Sequence, residues 1–320
     1  MSRSLRIGAR GSPLSLAQTG MVRDALAALH PGLHTEILPI KTRGDDPTSR
    51  WGADGIKGLF VREIEDALLS GRVDLAVHSA KDLPARLPGG LILAAPPERA
   101  TPFDALVAPG DPRSVASLPK GARVGTSSLR RRAQLLALRP DLKIIAIRGN
   151  LATRAAKAQS GECDAVVLAE AGILRLGAAG PPVPYRPIAP SEMLPAPCQG
   201  ILALELREGD SRVAGLVAPL GDSESELALL AERAFMEALG AGCQAPAAAW
   251  ARDDPGGLFM EALVAELDGT AVVRASGRAQ GAGPEGARAL GSGLAGELLS
   301  NGGSGIIERA EREGSLEWGE

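Results

Sequence analysis

The stretch from Val124 to Arg132 reads Val-Gly-Thr-Ser-Ser-Leu-Arg-Arg-Arg. It predicts the end of a strand, a tight turn at Gly125 and a helix through Ala133 to Leu138, with Thr126, Ser127 and Ser128 as N-cap residue types. A helix start offers unpaired N–H groups and the positive end of a dipole, so its first turn ordinarily favours carboxylates. Arg130 and Arg131 stand there instead. Cations at that end gain when an anion sits among them, which makes the stretch a candidate site for a carboxylate or phosphate. Successive helical residues point about 100° apart, so three arginines cannot all face one ligand, and Arg132 is expected to face solvent. The plain alternative is a solvated basic helix start.

Three further strand ends carry polar groups: Arg10 and Ser12; Ser79, Lys81 and Asp82; Arg148 and Arg154. In open α/β sheets, ligands bind outside the carboxyl ends of the strands. Two such domains facing each other would gather six cations into one cleft, a place for a ligand with several separated carboxylates. Asp82 is the acid among them. It would stabilise a cation developing on the ligand, or simply pair with Lys81 or a nearby arginine. Ser12, Ser79 and Thr126 also read as ordinary turn residues.

The elements that must position these residues follow from periodicity. Strands are expected at Leu5 to Ala9, Glu36 to Lys41 and Asp74 to His78, with helices at Leu14 to Leu29 and Leu59 to Leu69. Gly44 to Gly58 has no period and reads as a loop of the functional-lid type. A second α/β unit follows Arg99 to Phe103, with strands at Leu106 to Ala108, Arg123 to Gly125, Lys143 to Ile147 and Asp164 to Leu168. Its last helix is Ala169 to Leu176. Both sheets are expected to be largely parallel. Pro181 to Pro197 holds seven prolines and reads as an extended linker. Ile201 to Glu205 is apolar enough to return to the first sheet, so two chain crossings, near Arg99 and Pro197, give a hinged pair. A third unit has a helix at Glu224 to Leu239, strands at Ala247 to Ala251, Phe259 to Leu267 and Ala271 to Ala275, and a helix at Pro284 to Leu299.

Composition narrows the function. The 320 residues carry a formal charge of −3, and aromatics are only 2%, which disfavours stacked bases as ligands. Lys120 to Lys157 holds ten Lys/Arg and one acid, whereas Gly221 to Glu320 holds 17 acids and seven arginines. Such asymmetry implies a focused anion site rather than general stickiness. No run of 18 apolar residues and no apolar signal core occur, so a soluble, cytoplasmic protein is expected. Three scattered cysteines fit neither a disulfide framework nor a zinc site, and no metal is expected. Cys163 reads as core, Cys198 as a partly exposed linker residue, and Cys243 lies in a Gly-rich turn after a helix. Spacing alone does not choose among them as a reactive thiol.

Several stretches together resemble one family. They are Arg10 to Gln18 (Arg-Gly-Ser-Pro-Leu-Ser-Leu-Ala-Gln), Lys57 to Phe60 (Lys-Gly-Leu-Phe) and Val77 to Pro84 (Val-His-Ser-Ala-Lys-Asp-Leu-Pro). Val124 to Arg131, Ile147 to Arg154 (Ile-Arg-Gly-Asn-Leu-Ala-Thr-Arg), and Glu232 to Met236 (Glu-Arg-Ala-Phe-Met) leading to Gly242-Cys243-Gln244-Ala245-Pro246 complete the set. In order and coverage they resemble the hydroxymethylbilane synthases, also called porphobilinogen deaminases. Two departures are Ala241, where the family usually has glycine, and Cys198, where it usually lacks cysteine.

The resemblance implies a transferase of tetrapyrrole biosynthesis that joins four porphobilinogen molecules head to tail, releasing ammonia each time, and then hydrolyses off hydroxymethylbilane. It implies a dipyrromethane cofactor on a thioether to Cys243, and Asp82 stabilising the azafulvene cation left when ammonia departs. Arg10, Ser12, Lys81, Thr126, Ser128, Arg130, Arg131, Arg148 and Arg154 would hold carboxylates, with Gln18, Lys57, Ser79 and Gln199 as lesser members. Gly44 to Gly58 would be a loop over the site. The expected fold is α/β: two hinged domains of periplasmic-binding-protein-like type plus a small α+β C-terminal domain with an antiparallel sheet. Their expected bounds are 1–99 with 200–219, 100–199, and 220–320. A monomer is expected, binding neither nucleic acid nor membrane. Two rival readings are a hinged binding protein for a small polycarboxylate, and a nucleic-acid binder using the Arg130 to Arg132 run. Sparse aromatics and the acidic third unit oppose the latter.

Overall fold

The computed structural model describes residues 4–42, 61–110, 114–177, 184–240 and 245–314. β1 (Leu5–Arg10) is followed by α1 (Pro13–Leu29), whose start is set by Ser12 accepting from the Ser15 N–H and by Pro13, whose missing N–H costs nothing there. β2 (Thr35–Ile40), α2 (Arg62–Leu69), β3 (Leu75–Ser79) and β4 (Leu91–Ala94) follow. The second unit runs β5 (Asp104–Val107), β6 (Arg123–Gly125), α3 (Leu129–Leu138), β7 (Lys143–Ile145) and α4 (Leu151–Gln159). It ends with β8 (Ala165–Ala169), α5 (Glu170–Leu176) and β9 (Tyr185–Pro187). The chain then returns as β10 (Leu202–Arg207) and α6 (Ser211–Val217).

The two five-stranded sheets share one plan, β2-β1-β3-β10-β4 and β7-β6-β8-β5-β9. Neither is as parallel as the strand–helix alternation predicts. β10 runs antiparallel to β3 and β4, and β5 antiparallel to β8 and β9. The reason is the hinge. β5 and β10 are the strands that arrive directly from the other sheet, so they start at the end where the neighbouring parallel strands finish. The second correction concerns the Pro-rich stretch: Tyr185–Pro187 is an edge strand beside β5, a position where proline is tolerated.

The third sheet is an antiparallel meander of β11 (Ala247–Asp254), β12 (Gly257–Ala265) and β13 (Val272–Arg278). α7 (Ser223–Leu239) and α8 (Gly283–Leu298) bury Ala231, Phe235, Ala287 and Leu294 in a core shared with Met260 and Val264 of β12. A helix that the periodicity reading misses, α9 (Ser304–Gly314), begins after Gly302 (φ 103°) breaks the chain direction, and buries Ile306, Ile307 and Ala310.

The two crossings lie side by side. The Ala100 N–H donates to the Gly200 carbonyl at 3.2 Å, and a Cβ on Gly200 (φ 91°) would stand 2.5 Å from the Ala100 carbonyl oxygen. Glu232 of α7, 0% exposed, ties both crossings to the third unit. Its Oε1 accepts from Arg99 Nη1 and the Ala251 N–H, both at 2.7 Å; its Oε2 accepts from Arg99 Nη2 at 3.2 Å and from the Cys198 N–H. Arg99 Nε donates onward to the Gln199 carbonyl at 2.9 Å.

Cys198 therefore corrects the expectation of a partly exposed linker thiol. It is 4% exposed, holds a positive φ of 62°, and burial with Glu232 nearby pushes its thiol up to about 12. Cys163 is buried among Ile147 and Val166, as expected of a core residue.

Glu232→Ala would take the counter-charge from the Arg99 guanidinium and leave the Cys198 and Ala251 N–H groups without their acceptor. Breaking a buried pair from one side costs about 3–5 kcal/mol, and urea unfolding should show a loss of that order. An unchanged midpoint would mean that the third unit is held by its apolar contacts alone.

Candidate functional site

Asp104, the first residue of β5 and 0% exposed, organises a buried polar network at the crossings. Its Oδ1 accepts from Arg131 Nη2 at 2.7 Å, Arg131 Nε at 3.1 Å and Gln199 Nε2 at 3.1 Å, and its Oδ2 lies 2.8 Å from Arg130 Nη2. Arg130 Nη1 donates to the Leu194 carbonyl and Arg131 Nη1 to the Val167 carbonyl, each at 2.8 Å. Ser128 caps α3 by accepting from the Arg131 N–H, and Thr126 Oγ1 accepts from the Ser128 N–H. The cations at this helix start are thus already matched by an anion from inside the protein. Asp104 fixes where the two guanidinium groups stand at this helix start.

The network continues to the other sheet. Gln199 Nε2 also donates to the Pro102 carbonyl at 2.7 Å, while its Oε1 accepts from Lys81 Nζ at 2.9 Å. Lys81, just beyond β3, is linked in this way through the second crossing to β5 and α3. Burial alone would raise the Asp104 carboxyl, but Arg130 and Arg131 outweigh it and hold it well below the usual carboxylate range. Loss of water pulls Lys81 down to about 8, with Arg131 and Arg130 adding to that fall and Asp82 and Asp104 opposing it. Burial likewise lowers Arg130.

The remaining predicted residues fall into two groups. Ser12 caps α1, and Gln18 Nε2 donates to Ser79 Oγ at 3.0 Å, pinning α1 to the end of β3. Arg10 ends β1, and Arg148 is exposed beyond β7. Arg154, in the first turn of α4, donates from Nε to the Gly149 carbonyl at 2.9 Å. Its guanidinium is lowered first by burial and then by Arg131 and Arg10, with Asp82 opposing. Four predicted residues on different elements therefore share one electrostatic neighbourhood: Arg10, Asp82, Arg131 and Arg154. Asp82 is exposed, and the recorded hydrogen bond of Lys81 goes to Gln199 rather than to it. Arg132 is only half-exposed, and its charge acts on Asp268 of the third unit, so it does not simply face solvent.

Lys57, Cys243, Ala241 and the loop Gly44 to Gly58 lie outside the described residues. What leads to Cys243 is described. α7 ends at Gly240 (φ 68°) beside the segment after Asp82: Arg233 Nη2 donates to the Ala85 carbonyl at 2.8 Å, Arg86 Nε meets Glu237 Oε1 at 2.7 Å, and Leu239 packs in one cluster with Leu83. Sequence reasoning misses Asp104, whose one signal is an acid directly before the apolar run Ala105 to Ala108. It also misses Arg175 of α5, which donates to the Gly200 carbonyl at 2.6 Å and is pulled down to about 10 by burial. Among the described residues there is no cluster of three metal-ligating side chains, and no helix is long and apolar enough to cross a membrane.

Comparison with known proteins covers most of the chain. Residues 5–215 match the family model described as porphobilinogen deaminase, dipyrromethane cofactor binding domain, and residues 227–300 match the porphobilinogen deaminase C-terminal domain. The porphobilinogen deaminase of Roseiflexus castenholzii is 50% identical over 309 residues, 96% of this chain and 99% of that one. That of Syntrophotalea carbinolica is 48% identical over 310 residues, 96% of each. Among solved structures, the probable amino-acid ABC transporter extracellular-binding protein ytmK of Bacillus subtilis is 12% identical with a TM-score of 0.42, covering 69% of this chain and 90% of that one. The chain belongs to the porphobilinogen deaminase (hydroxymethylbilane synthase) family, the dipyrromethane-dependent transferases of tetrapyrrole biosynthesis.

Proposed function

We propose that the cleft between the two sheets binds the acetate and propionate groups of the growing pyrrole chain through Arg10, Lys81, Arg130, Arg131, Arg148 and Arg154. Asp82 is assigned the electrostatic role, and Cys243 the attachment of the cofactor. The carrying observation is the shared neighbourhood of Asp82 with Arg10, Arg131 and Arg154. The donor set suits a polycarboxylate: an arginine has five N–H donors, and three of those of Arg131 are used within the protein. Arg130 Nε is buried without a hydrogen-bond partner. A dipyrromethane held here would supply a free pyrrole α-carbon for the first condensation, and each ring added would offer its own for the next. Ser12, Thr126, Ser128, Gln18, Ser79 and Gln199 act mainly by fixing the strand ends and helix starts from which the cations project.

Asp82 differs from Asp104 in what it faces. As the aminomethyl nitrogen of porphobilinogen departs as ammonia, positive charge develops on the substrate ring. An exposed carboxylate beside that ring lowers the energy of that state. The position of α7 supports Cys243 as the anchor, since the helix delivers the chain beside Leu83, directly after Asp82. Cys198 is held as a buried thiol, and thiolate is the nucleophilic form. We further propose a cytoplasmic monomer acting on porphobilinogen, with no part for nucleic acid or membrane.

Intact mass of the purified protein tests the anchor. It should exceed the sequence mass by one dipyrromethane unit, located by peptide mapping on Cys243. Cys243→Ala should show the bare mass and no activity, while Cys198→Ala that remains folded should keep the adduct. An adduct persisting in Cys243→Ala moves the anchor elsewhere.

Asp82→Asn preserves shape and removes charge at an exposed position. Turnover should fall about 10²-fold or more with an unchanged melting curve. Product formation near the parental rate would remove Asp82 from its assigned role.

Arg131→Lys keeps a cation beside Asp104 but loses the planar fork, and a lysine cannot replace a bidentate contact. Activity should drop strongly, whereas Arg132→Leu should remain close to parent. Equal losses in the two variants would show that overall charge, not geometry, governs binding.

A further inference from the structure

A second cluster of buried titratable groups lies in the first sheet, away from the arginines. His78 of β3 and Glu205 of β10 meet at 2.9 Å, Nε2 to Oε2. In the antiparallel register Ala203 is opposite His78 and Ala76 is opposite Glu205, so the two side chains are diagonal neighbours on one face. Glu65 of α2 is buried as well, on the helix side that also buries Ile64, Ala67 and Leu68. Glu205 is 0% exposed.

The hydrogen-bond inventory of this cluster does not close if both carboxylates are ionised. Glu65 Oε1 and Glu205 Oε1 are each buried without a partner. An ionised carboxylate only accepts, so two such groups cannot satisfy each other, whereas a proton on one of them makes it a donor; α2 packs directly on β3 and β10, the strands that carry His78 and Glu205. The charges point the same way. Removal from water, and then the negative charge of Glu205, push the Glu65 carboxyl up to about 7, with Asp66 adding and His78 and Arg62 opposing.

We propose that Glu65 carries a proton that it shares with Glu205, whose other oxygen is held by His78, so that the three residues lock α2 onto β3 and β10 directly behind Ser79, Lys81 and Asp82. They are positioning residues: His78 immediately precedes Ser79, and any slack in this part of β3 is passed to the turn bearing Lys81 and Asp82. The proton comes from solvent as the chain folds, with no other reactant. Because the folded value of Glu65 lies above its ordinary value of 4.5, the stabilisation from its neutral form is complete below about 4.5 and is lost as pH rises through about 7.

The experiment compares the full-length parent protein with Glu65→Gln, a neutral mimic that can still donate to Glu205, between pH 5 and pH 8.5. Urea unfolding should show the parent losing stability relative to the variant as pH rises, with a slope approaching tenfold in the unfolding equilibrium per pH unit for one bound proton. Amide hydrogen exchange at Ser79 to Asp82 should show the same divergence, the ratio of parent to variant protection falling with pH. A ratio and a stability difference that stay constant across this range would overturn the proposal. Should the variant fail to fold, infrared spectroscopy of the parent keeps the question open to refutation. A buried protonated-carboxyl band present at pH 6 and lost at pH 9 supports the shared proton, and its absence at pH 6 overturns it. None of these readouts uses turnover, so the result stands apart from the assignments made in the cleft.

Discussion

Asp104 is the anion on which the cleft depends. Two guanidinium groups at successive positions of one helix start would repel each other and the dipole behind them. A single buried carboxylate between them turns the repulsion into a three-centre arrangement: Arg130 on one oxygen, Arg131 doubly on the other. Because Asp104 opens β5, the strand that enters from the first crossing, the same carboxylate also receives Gln199 from the second crossing and, through it, Lys81 from the far sheet. Cations from both halves are thereby held on one internal counter-charge. Burying that charge is costly unless every partner is present, so the site and the hinge stand or fall together.

The hinge itself follows from chain direction. A strand coming straight from the opposite sheet must begin at the end facing that sheet, so β5 and β10 run against their neighbours. Asp104 and the Gln199-Gly200 pair occupy those starts. Gly200 permits the close approach of the two crossings, and Glu232 gathers Arg99 from one and the Cys198 N–H from the other into the third unit. The backbone joining the two sheets is thus paired across itself and anchored on α7. This is also the helix that ends beside Leu83 and leads to Cys243.

Much of this was legible in the sequence, for identifiable reasons. Periodicity and turn chemistry located α1, α3, α7 and the β11–β13 meander to within a few residues, because each has an apolar face and a capping residue such as Ser12, Ser128 or Asp222. The strand ends bearing Arg10, Lys81, Thr126 and Arg154 were legible because polar residues follow short apolar runs there. Partnership was not. That Arg130 and Arg131 share Asp104, across 26 and 27 positions of chain, has no local signature. Strand direction was hidden too, since an apolar run such as Leu202 to Leu206 reads alike whichever way it runs. Proline-rich composition speaks of an extended chain, and Cys198 is buried because that chain forms the hinge. α9 carries no continuous period because Gly302 and Gly303 interrupt the chain direction before it.

The two aspartates show how one side-chain type serves opposite ends within about 20 residues. Asp104 is sealed from water and committed to the arginines of the protein, which hold its carboxyl far below the ordinary range. Asp82 stands exposed on a short turn after β3, while the nearby Lys81 is drawn away toward Gln199. A carboxylate already matched by a fixed guanidinium has little left for a charge that arises only during reaction; one at the rim keeps that capacity. Diverting Lys81 to Gln199 therefore does two things at once. It extends the internal network across the hinge, and it leaves Asp82 at the surface with its charge acting on Lys81 and Arg154.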